Sequence, residues 1–152
     1  HRSFSFQEFS QRYADPTEEL GFVTREPRLQ DVKNRQNSIE VDDKNIDTEW
    51  EHIQRRMIYH AKKDYNAAIK LGMAKEQARA LLPEGLTEST IIMAGSLRSW
   101  VHYCQLRMDK ATQKEHRIVA EQCWEIIGQH FPDVIKALDD MAAQAEFERK
   151  LP

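Results

Sequence analysis

The chain has 152 residues, a formal net charge of −3 and a hydrophobic fraction of 40%. This length suits one domain, and the near balance of charge argues against a protein that holds nucleic acid by bulk charge. No apolar run approaches the length of a membrane span, and two cysteines are too few for a disulfide framework, so we expect a cytoplasmic protein without a membrane partner. The six histidines are scattered without ligand spacing, so no metal site is predicted.

The chain opens with a concentration of polar groups. Residues 1–13 hold a histidine, two arginines, a glutamate and three serines between aromatic residues. The planar fork of arginine matches phosphate bidentately, and serine hydroxyls can complete an anion pocket. From composition alone, the same stretch is equally well the solvated end of a chain.

The next stretch is polar and irregular. Asp15 and Pro16 are typical of a turn, and residues 21–24 are compatible with a short strand. Residues 30–47, rich in asparagine and aspartate, are predicted to form a loop. A loop of this length is unusual in a compact domain and indicates a functional or flexible segment.

A long helix is predicted to begin at an Asp47 cap and to end at Gly72. Apolar residues recur along it at steps of three and four, which predicts a buried stripe made of Trp50, Ile53, Met57, Ala61, Tyr65 and Ala68. A second helix is predicted over residues 75–82, because Pro83 follows. Residues 87–93 are rich in β-branched side chains and are predicted to form a strand.

The remainder of the chain is predicted to be helical. Ser96 is a candidate cap for a helix on which Arg98 and His102 share a polar face. Two more helices follow, at about residues 113–130 and 132–149. The polar face suits a planar, phosphorylated ligand, although a solvated face is the simpler interpretation from one sequence. The fold class is therefore α+β, a helix-rich segment with a small sheet.

Three stretches occur in the same order as three motifs of a known family. Residues 1–13 match R-H-R-x-x-S-x-N-E-x-S-x-R-Y, except that the leading arginine is absent and Gln7 replaces asparagine. Residues 78–83 match A-R-x-x-L-P. The third motif is matched by Ser96, Arg98, Ser99, His102, Leu106, Arg107, Gln113 and Glu115. It departs at Trp100, where leucine is usual, at Ser96, where asparagine is common, and at Lys110 and Ala111, where many members have serine and histidine. Together these stretches resemble the flavin-dependent thymidylate synthases.

The resemblance implies the fold of the thymidylate synthase-complementing proteins. It implies a single domain over residues 1–152, roughly the C-terminal two-thirds of a family member that lacks an N-terminal segment. It also implies reductive methylation of dUMP to dTMP with carbon from 5,10-methylenetetrahydrofolate. The cofactor would be FAD reduced by NADPH, in a homotetramer with shared active sites.

The resemblance also assigns residues by position. The dUMP ligands would be Glu8, Ser10, Arg12, Arg79 and Arg107. The FAD ligands would be His1, Arg2, Gln7, Glu8, Ser96, Arg98 and His102. Arg107 would also be the catalytic residue, a fixed cation beside the pyrimidine. Because Arg107 lies across its helix from Arg98, the two would serve two sites, or one site from two chains.

Two alternatives stand beside this interpretation. One is a non-catalytic flavin- or nucleotide-binding relative or an inactive fragment. The other is a helical interaction protein whose motifs are solvated faces without a small-molecule site.

Overall fold

A computed structural model describes residues 3–35 and 37–149. The predicted FAD ligands His1 and Arg2 lie outside the described residues. Among the helices that are described, none is both long enough and apolar enough to cross a membrane.

The described chain groups into two compact units. One unit is Ser5–Ala94, and the other comprises residues 3–4 and 95–149. The expectation that residues 1–152 form a single domain stays a prediction.

The elements are four short strands and six helices in the described chain. In chain order they are β1 (Phe4–Glu8), α1 (Pro16–Glu19), β2 (Arg28–Gln30), β3 (Ser38–Glu40), α2 (Lys44–Lys70), α3 (Lys75–Ala78) with a 3-10 turn (Arg79–Leu81), β4 (Ile91–Gly95), α4 (Leu97–Arg107), α5 (Lys114–His130) and α6 (Pro132–Arg149). Strand β1 pairs with β4, and β2 pairs with β3, in two sheets of two strands each. The fold is a helix-rich α+β arrangement with small sheets, which confirms the predicted class.

The ends of α2 follow from local capping. The helix begins one turn earlier than predicted, because the carboxylate of Asp43 caps it by accepting the backbone N–H two residues on at 2.8 Å. Asp47 instead lies in the first turn, where a negative side chain favours the helix dipole. At the other end Gly72 has φ of +84°, and Met73 N–H donates to the Ala68 carbonyl at 3.1 Å. This is the glycine-ended cap that the sequence predicted.

The predicted apolar stripe of α2 is only partly buried. Ala61 and Tyr65 are in the core, at 5% and 0% exposure. Trp50, Ile53 and Met57 are exposed at 37%, 39% and 52%, so the expectation that they are buried is wrong. The helical period was predicted correctly, but the burial of its N-terminal half was not.

A polar contact explains the N-terminal half of α2. Gln54 is 2% exposed and pairs twice with the backbone of Arg25, donating to its carbonyl at 3.0 Å and accepting from its N–H at 2.6 Å. Trp50 donates its indole N–H to the same carbonyl at 2.8 Å. This part of α2 therefore satisfies a polar loop backbone rather than covering an apolar surface.

The segment predicted as one long loop contains a hairpin. Strands β2 and β3 are antiparallel, so the predicted loop over residues 30–47 is wrong. The turn is organised by Asp31, whose carboxylate accepts from the backbone N–H groups of Lys33 at 2.8 Å and Asn34 at 3.1 Å. The bond from Lys33, then the side chain of Asn37, then the bond from Asn34 lower the pKa of Asp31.

Two predicted strands differ from those observed. Residues 21–24 make one isolated bridge, between Phe22 and Thr87, rather than a strand. The strand predicted over residues 87–93 begins later, at Ile91, as β4. The polar residues that precede β4 turn out to lie beside a cleft.

The second unit consists mainly of α4, α5 and α6, which confirms the helices predicted from Ser96 onwards. Its buried residues include Cys104, Ala120 and Ile127. The ring of Phe4 meets Trp100 edge-on, with centroids 4.9 Å apart.

Candidate functional site

A cleft of about 840 Å³ lies within the unit Ser5–Ala94. Its volume falls within the roughly 300–1,000 Å³ that is typical of small-molecule sites. Its charged and hydroxyl-bearing lining includes Glu8, Ser10, Glu76, Arg79, Glu84 and Ser89. Three predicted dUMP ligands from two distant motifs, Glu8, Ser10 and Arg79, are therefore brought together.

Strand pairing places Glu8 in the cleft. Strand β1 pairs with β4, and the bond from Phe9 N–H to the Thr90 carbonyl at 2.9 Å continues this pairing beyond the strand end. The Ser89 hydroxyl donates to Glu8 Oε1 at 2.9 Å. The carboxylate is thus held in place while its second oxygen remains able to accept from a ligand.

A tight turn follows and places Ser10. The Ser10 carbonyl accepts the N–H groups of Tyr13 and Ala14, each at 3.1 Å. Two side chains of α3 hold this turn: Lys75 Nζ donates to the Tyr13 carbonyl at 3.1 Å, and Glu76 Oε2 accepts from an Arg12 nitrogen at 3.0 Å. Arg12 therefore lies at the edge of the cleft, bound to one of the carboxylates that line it.

Arg79 is another of the predicted dUMP ligands. Arg79 is the first residue of the 3-10 turn after α3, and its side chain lines the cleft. Within the described chain its guanidinium has neither an ion-pair nor a hydrogen-bond partner. An exposed guanidinium without a partner, in a cleft that also holds hydroxyl groups, is available to an incoming anion.

The predicted FAD ligands Ser96, Arg98 and His102 lie in the other unit, at the start of α4. Ser96 caps the helix, its hydroxyl accepting the Ser99 N–H at 3.3 Å, as the sequence predicted. Arg98 and His102 are exposed and one turn apart, so they share a side of the helix. The first turn carries no acidic residue, so this helix end has a net positive field that suits phosphate.

Gln7 is separated from Glu8 by the geometry of β1. Both side chains are exposed on the strand, and successive residues of a strand point to opposite faces. Since Glu8 lines the cleft, Gln7 points away from it. Within one chain, a ligand that contacts Gln7 therefore lies on the opposite side of β1 from a ligand that fills the cleft.

Arg107, the predicted catalytic residue, is the exposed last residue of α4. A cation at a helix C-terminus is favourable. Near it the rings of Tyr103 and His116 lie with centroids 5.5 Å apart. Burial, and then the charge of Arg107, lower the pKa of His116, and burial is the main cause that raises the pKa of Tyr103. His116 is therefore a neutral ring beside a fixed cation at neutral pH.

Three residues of these two sites were not predicted. Glu76 precedes Arg79 by three positions, and this helical spacing was the signal that both belong to one face. Ser89 reaches Glu8 through the pairing of β1 with β4, which no local pattern shows. His116 meets Tyr103 through the packing of α5 against α4, which no local pattern shows.

Metal and thiol chemistry find no support in the described residues. They contain no group of three or more histidine, cysteine, aspartate or glutamate side chains that could hold a metal ion. Cys104 and Cys123 are free thiols. Burial, and to a lesser extent Cys123, raises the pKa of Cys104 to about 11, so Cys104 is protonated at neutral pH and is not an activated nucleophile.

The fold and the cleft define a class of protein, a helix-rich α+β protein with a cleft of small-molecule size. The family model described as thymidylate synthase complementing protein matches residues 1–133, and the chain belongs to this family. The family predicted from the three motifs is thereby confirmed.

Named relatives agree with the family. The chain is 45% identical over 139 residues to a probable flavin-dependent thymidylate synthase of Paramecium bursaria Chlorella virus 1, covering 91% of this chain and 63% of the relative. It is equally similar to the flavin-dependent thymidylate synthase of Synechocystis sp., with the same coverage. The chain thus spans less than two-thirds of the length of these relatives.

A solved structure shares the fold. It is the crystal structure of a UMP/dUMP methylase, PolB, from Streptomyces cacaoi bound with 5-Br UMP. The TM-score is 0.71 at 25% sequence identity, with 84% of this chain and 60% of that chain covered.

Proposed function

We propose that this protein is a flavin-dependent thymidylate synthase that converts dUMP to dTMP. 5,10-Methylenetetrahydrofolate supplies the carbon and NADPH supplies the reducing equivalents, while FAD, when bound, provides the hydride chemistry. The observation that carries the proposal is the cleft that brings Glu8, Ser10 and Arg79 together. Membership of the family and the names of the relatives support it.

The cleft residues divide the recognition of dUMP. The guanidinium of Arg79 binds the phosphate through its planar fork. Ser10 adds a hydroxyl donor beside it. Glu8, fixed by Ser89, accepts a hydrogen bond from a hydroxyl or N–H group of the nucleoside, because an ionised carboxylate only accepts. Arg12 is the second phosphate ligand, after it leaves its partner in α3.

The catalytic role is assigned to Arg107. A fixed cation beside the pyrimidine stabilises negative charge on a carbonyl oxygen of the base and so activates the ring carbon that receives the methylene group. We place this function in a homotetramer with shared sites, in which Arg107 of one subunit serves a substrate held by another. Arg98 and Arg107 then act toward different ligands from one helix.

The FAD site is assigned to Ser96, Arg98 and His102, with Gln7 and Glu8 from the N-terminal motif and with His1 and Arg2. The chemistry of α4 fits the cofactor, because an arginine and a cap hydroxyl at a helix start suit phosphate groups. An exposed imidazole one turn further suits contact with a planar ring. The cytoplasm is the proposed location, since two free thiols fit a reducing compartment.

Calorimetry of dUMP binding tests the substrate site. Arg79→Gln is expected to weaken dUMP binding by about tenfold or more, since hydrogen bonds to charged groups contribute roughly 1.5–3 kcal/mol. Binding of deoxyuridine, which lacks the phosphate, is expected to stay unchanged. Arg56→Gln is the matched control, an exposed arginine of α2 away from the cleft lining. Wild-type affinity for dUMP in the Arg79 variant would overturn the assignment.

One observation favours a non-catalytic relative as a second candidate. Ala111 stands where many members of the family carry histidine, and alanine offers no side-chain donor to a flavin. This candidate predicts that the protein binds dUMP and flavin without forming dTMP. Turnover of dUMP to dTMP decides between the two.

A further inference from the structure

Of the two arginines proposed to bind phosphate, Arg12 already forms an ion pair with a carboxylate that lines the cleft. An Arg12 nitrogen lies 3.0 Å from Glu76 Oε2, and the two side chains are 53% and 46% exposed. Glu76 lines the cleft together with Arg79, whose guanidinium has no partner among the described residues. The carboxylate of Glu76 is thus paired with Arg12, while Arg79 lines the same cleft as Glu76 without such a pair.

The ion pair of Arg12 with Glu76 lies where α3 binds the backbone of the turn after Ser10. Lys75, the neighbour of Glu76, donates to the Tyr13 carbonyl at 3.1 Å, so α3 holds both the backbone and the side chain of the turn after Ser10. The Arg12 guanidinium also lies over the Tyr13 ring, 5.6 Å from its centroid. Arg12 is therefore kept at the edge of the cleft before any ligand arrives.

We propose that Glu76 is a positioning residue that occupies Arg12 in the free protein and releases it when a phosphate monoester binds. Ligand binding is then an exchange of one anion for another at Arg12, while Arg79 binds the phosphate without exchange. The inference rests on the proposed function, because it takes the phosphate of dUMP as the incoming anion.

The chemistry favours this exchange. A phosphate dianion carries more charge than a carboxylate and offers arginine the same bidentate geometry. The carboxylate that is displaced stays in the cleft and repels the phosphate. Because both partners are about half exposed, solvent screens these effects, and we expect the exchange to weaken phosphate binding by only about two- to fivefold. The product carries the same phosphate, so the exchange also favours product release.

Binding of three ligands to a Glu76 variant distinguishes the proposed role of Glu76 from a purely structural role. Glu76→Gln is expected to tighten binding of dUMP and of inorganic phosphate by about two- to fivefold, measured by calorimetry at low salt. Binding of deoxyuridine is expected to stay unchanged, since this nucleoside brings no anion to Arg12. A general distortion of the cleft would weaken all three ligands and overturn the proposal.

A matched variant distinguishes the effect of the ion pair with Arg12 from the effect of removing one negative charge from the cleft. Glu84 is another glutamate of the cleft lining, and no ion pair joins it to an arginine of the described chain. Glu84→Gln removes the same charge and is expected to change phosphate affinity less than Glu76→Gln does. In an Arg12→Gln background, Glu76→Gln is expected to lose its effect. Equal effects of the two glutamate variants, or an undiminished effect without Arg12, would overturn the proposal.

The comparison of dUMP with inorganic phosphate distinguishes a failure of the proposed function from a failure of the exchange at Arg12. If the wild-type protein binds inorganic phosphate but gains nothing from the nucleoside of dUMP, the proposed substrate is wrong. The phosphate arm of the Glu76 comparison still tests the exchange in that case.

Discussion

Gly95 is a position where one added methyl group would clash with neighbouring atoms. A Cβ atom there would lie 2.5 Å and 2.7 Å from two carbons of the Phe4 ring, and 3.2 Å from the Ser3 carbonyl oxygen. The ring cannot move freely, because it meets Trp100 and Tyr103 edge-on, with centroids 4.9 Å and 6.1 Å away. Gly95→Ala therefore forces these rings apart or bends the backbone.

The expected cost is that of an overpacked site, about 1–3 kcal/mol. For a chain of this length each kcal/mol corresponds to roughly 2–4 °C in Tm, so Gly95→Ala is expected to lower Tm by about 2–12 °C. Differential scanning calorimetry or thermal melts followed by circular dichroism measure this shift.

Gly128 provides the matched control. It lies within α5, and the nearest atom to an added Cβ is Ile135 Cγ1 at 3.8 Å, an ordinary contact. Gly128→Ala is expected to raise stability by about 0.5–1 kcal/mol, because alanine is the better helix former. A Gly95→Ala variant that melts at or above the wild-type temperature would contradict the clash with Phe4. Additive effects of Phe4→Ala and Gly95→Ala would also contradict it, since removing the ring should relieve the clash.

Two further predictions concern the cluster around α4. Arg107→Ala is expected to abolish dTMP formation. It is expected to lower the free energy of unfolding by no more than about 1 kcal/mol, because Arg107 is an exposed residue at a helix end. Turnover that persists in this variant would contradict the catalytic role of Arg107. His116 has a pKa below its ordinary value of 6.5, so the unfolded chain binds the proton more readily and the free energy of unfolding falls as the pH drops below that value. His116→Gln is expected to flatten this dependence in urea titrations between about pH 5 and 8, and an unchanged slope would contradict it.

Local features of the fold could be predicted because they depend on neighbours in sequence. The glycine cap at Gly72 and the serine cap at Ser96 were found from single residues and their spacing. The start of α2 was misplaced because two aspartates, Asp43 and Asp47, were four positions apart and either suited a cap. The hairpin was missed because its strands are three residues long and Asp31 organises its turn through backbone contacts.

Burial and long-range contacts were less predictable. Periodicity marked one face of α2, but whether Trp50 or Met57 is covered depends on what packs there. The meeting of Glu8, Ser10 and Arg79 follows from chain pairing and was expected only through the resemblance to a family. The ion pair of Arg12 with Glu76 spans 64 positions and was visible only in the structure.

The most direct test of the central claim is a single-turnover experiment with the reduced flavoprotein and 5,10-methylenetetrahydrofolate in the absence of oxygen. We predict that adding dUMP restores the absorbance of oxidised flavin and yields about one dTMP for each flavin oxidised, by the stoichiometry of a hydride transfer. Flavin oxidation that does not depend on dUMP, or the absence of dTMP, would contradict it.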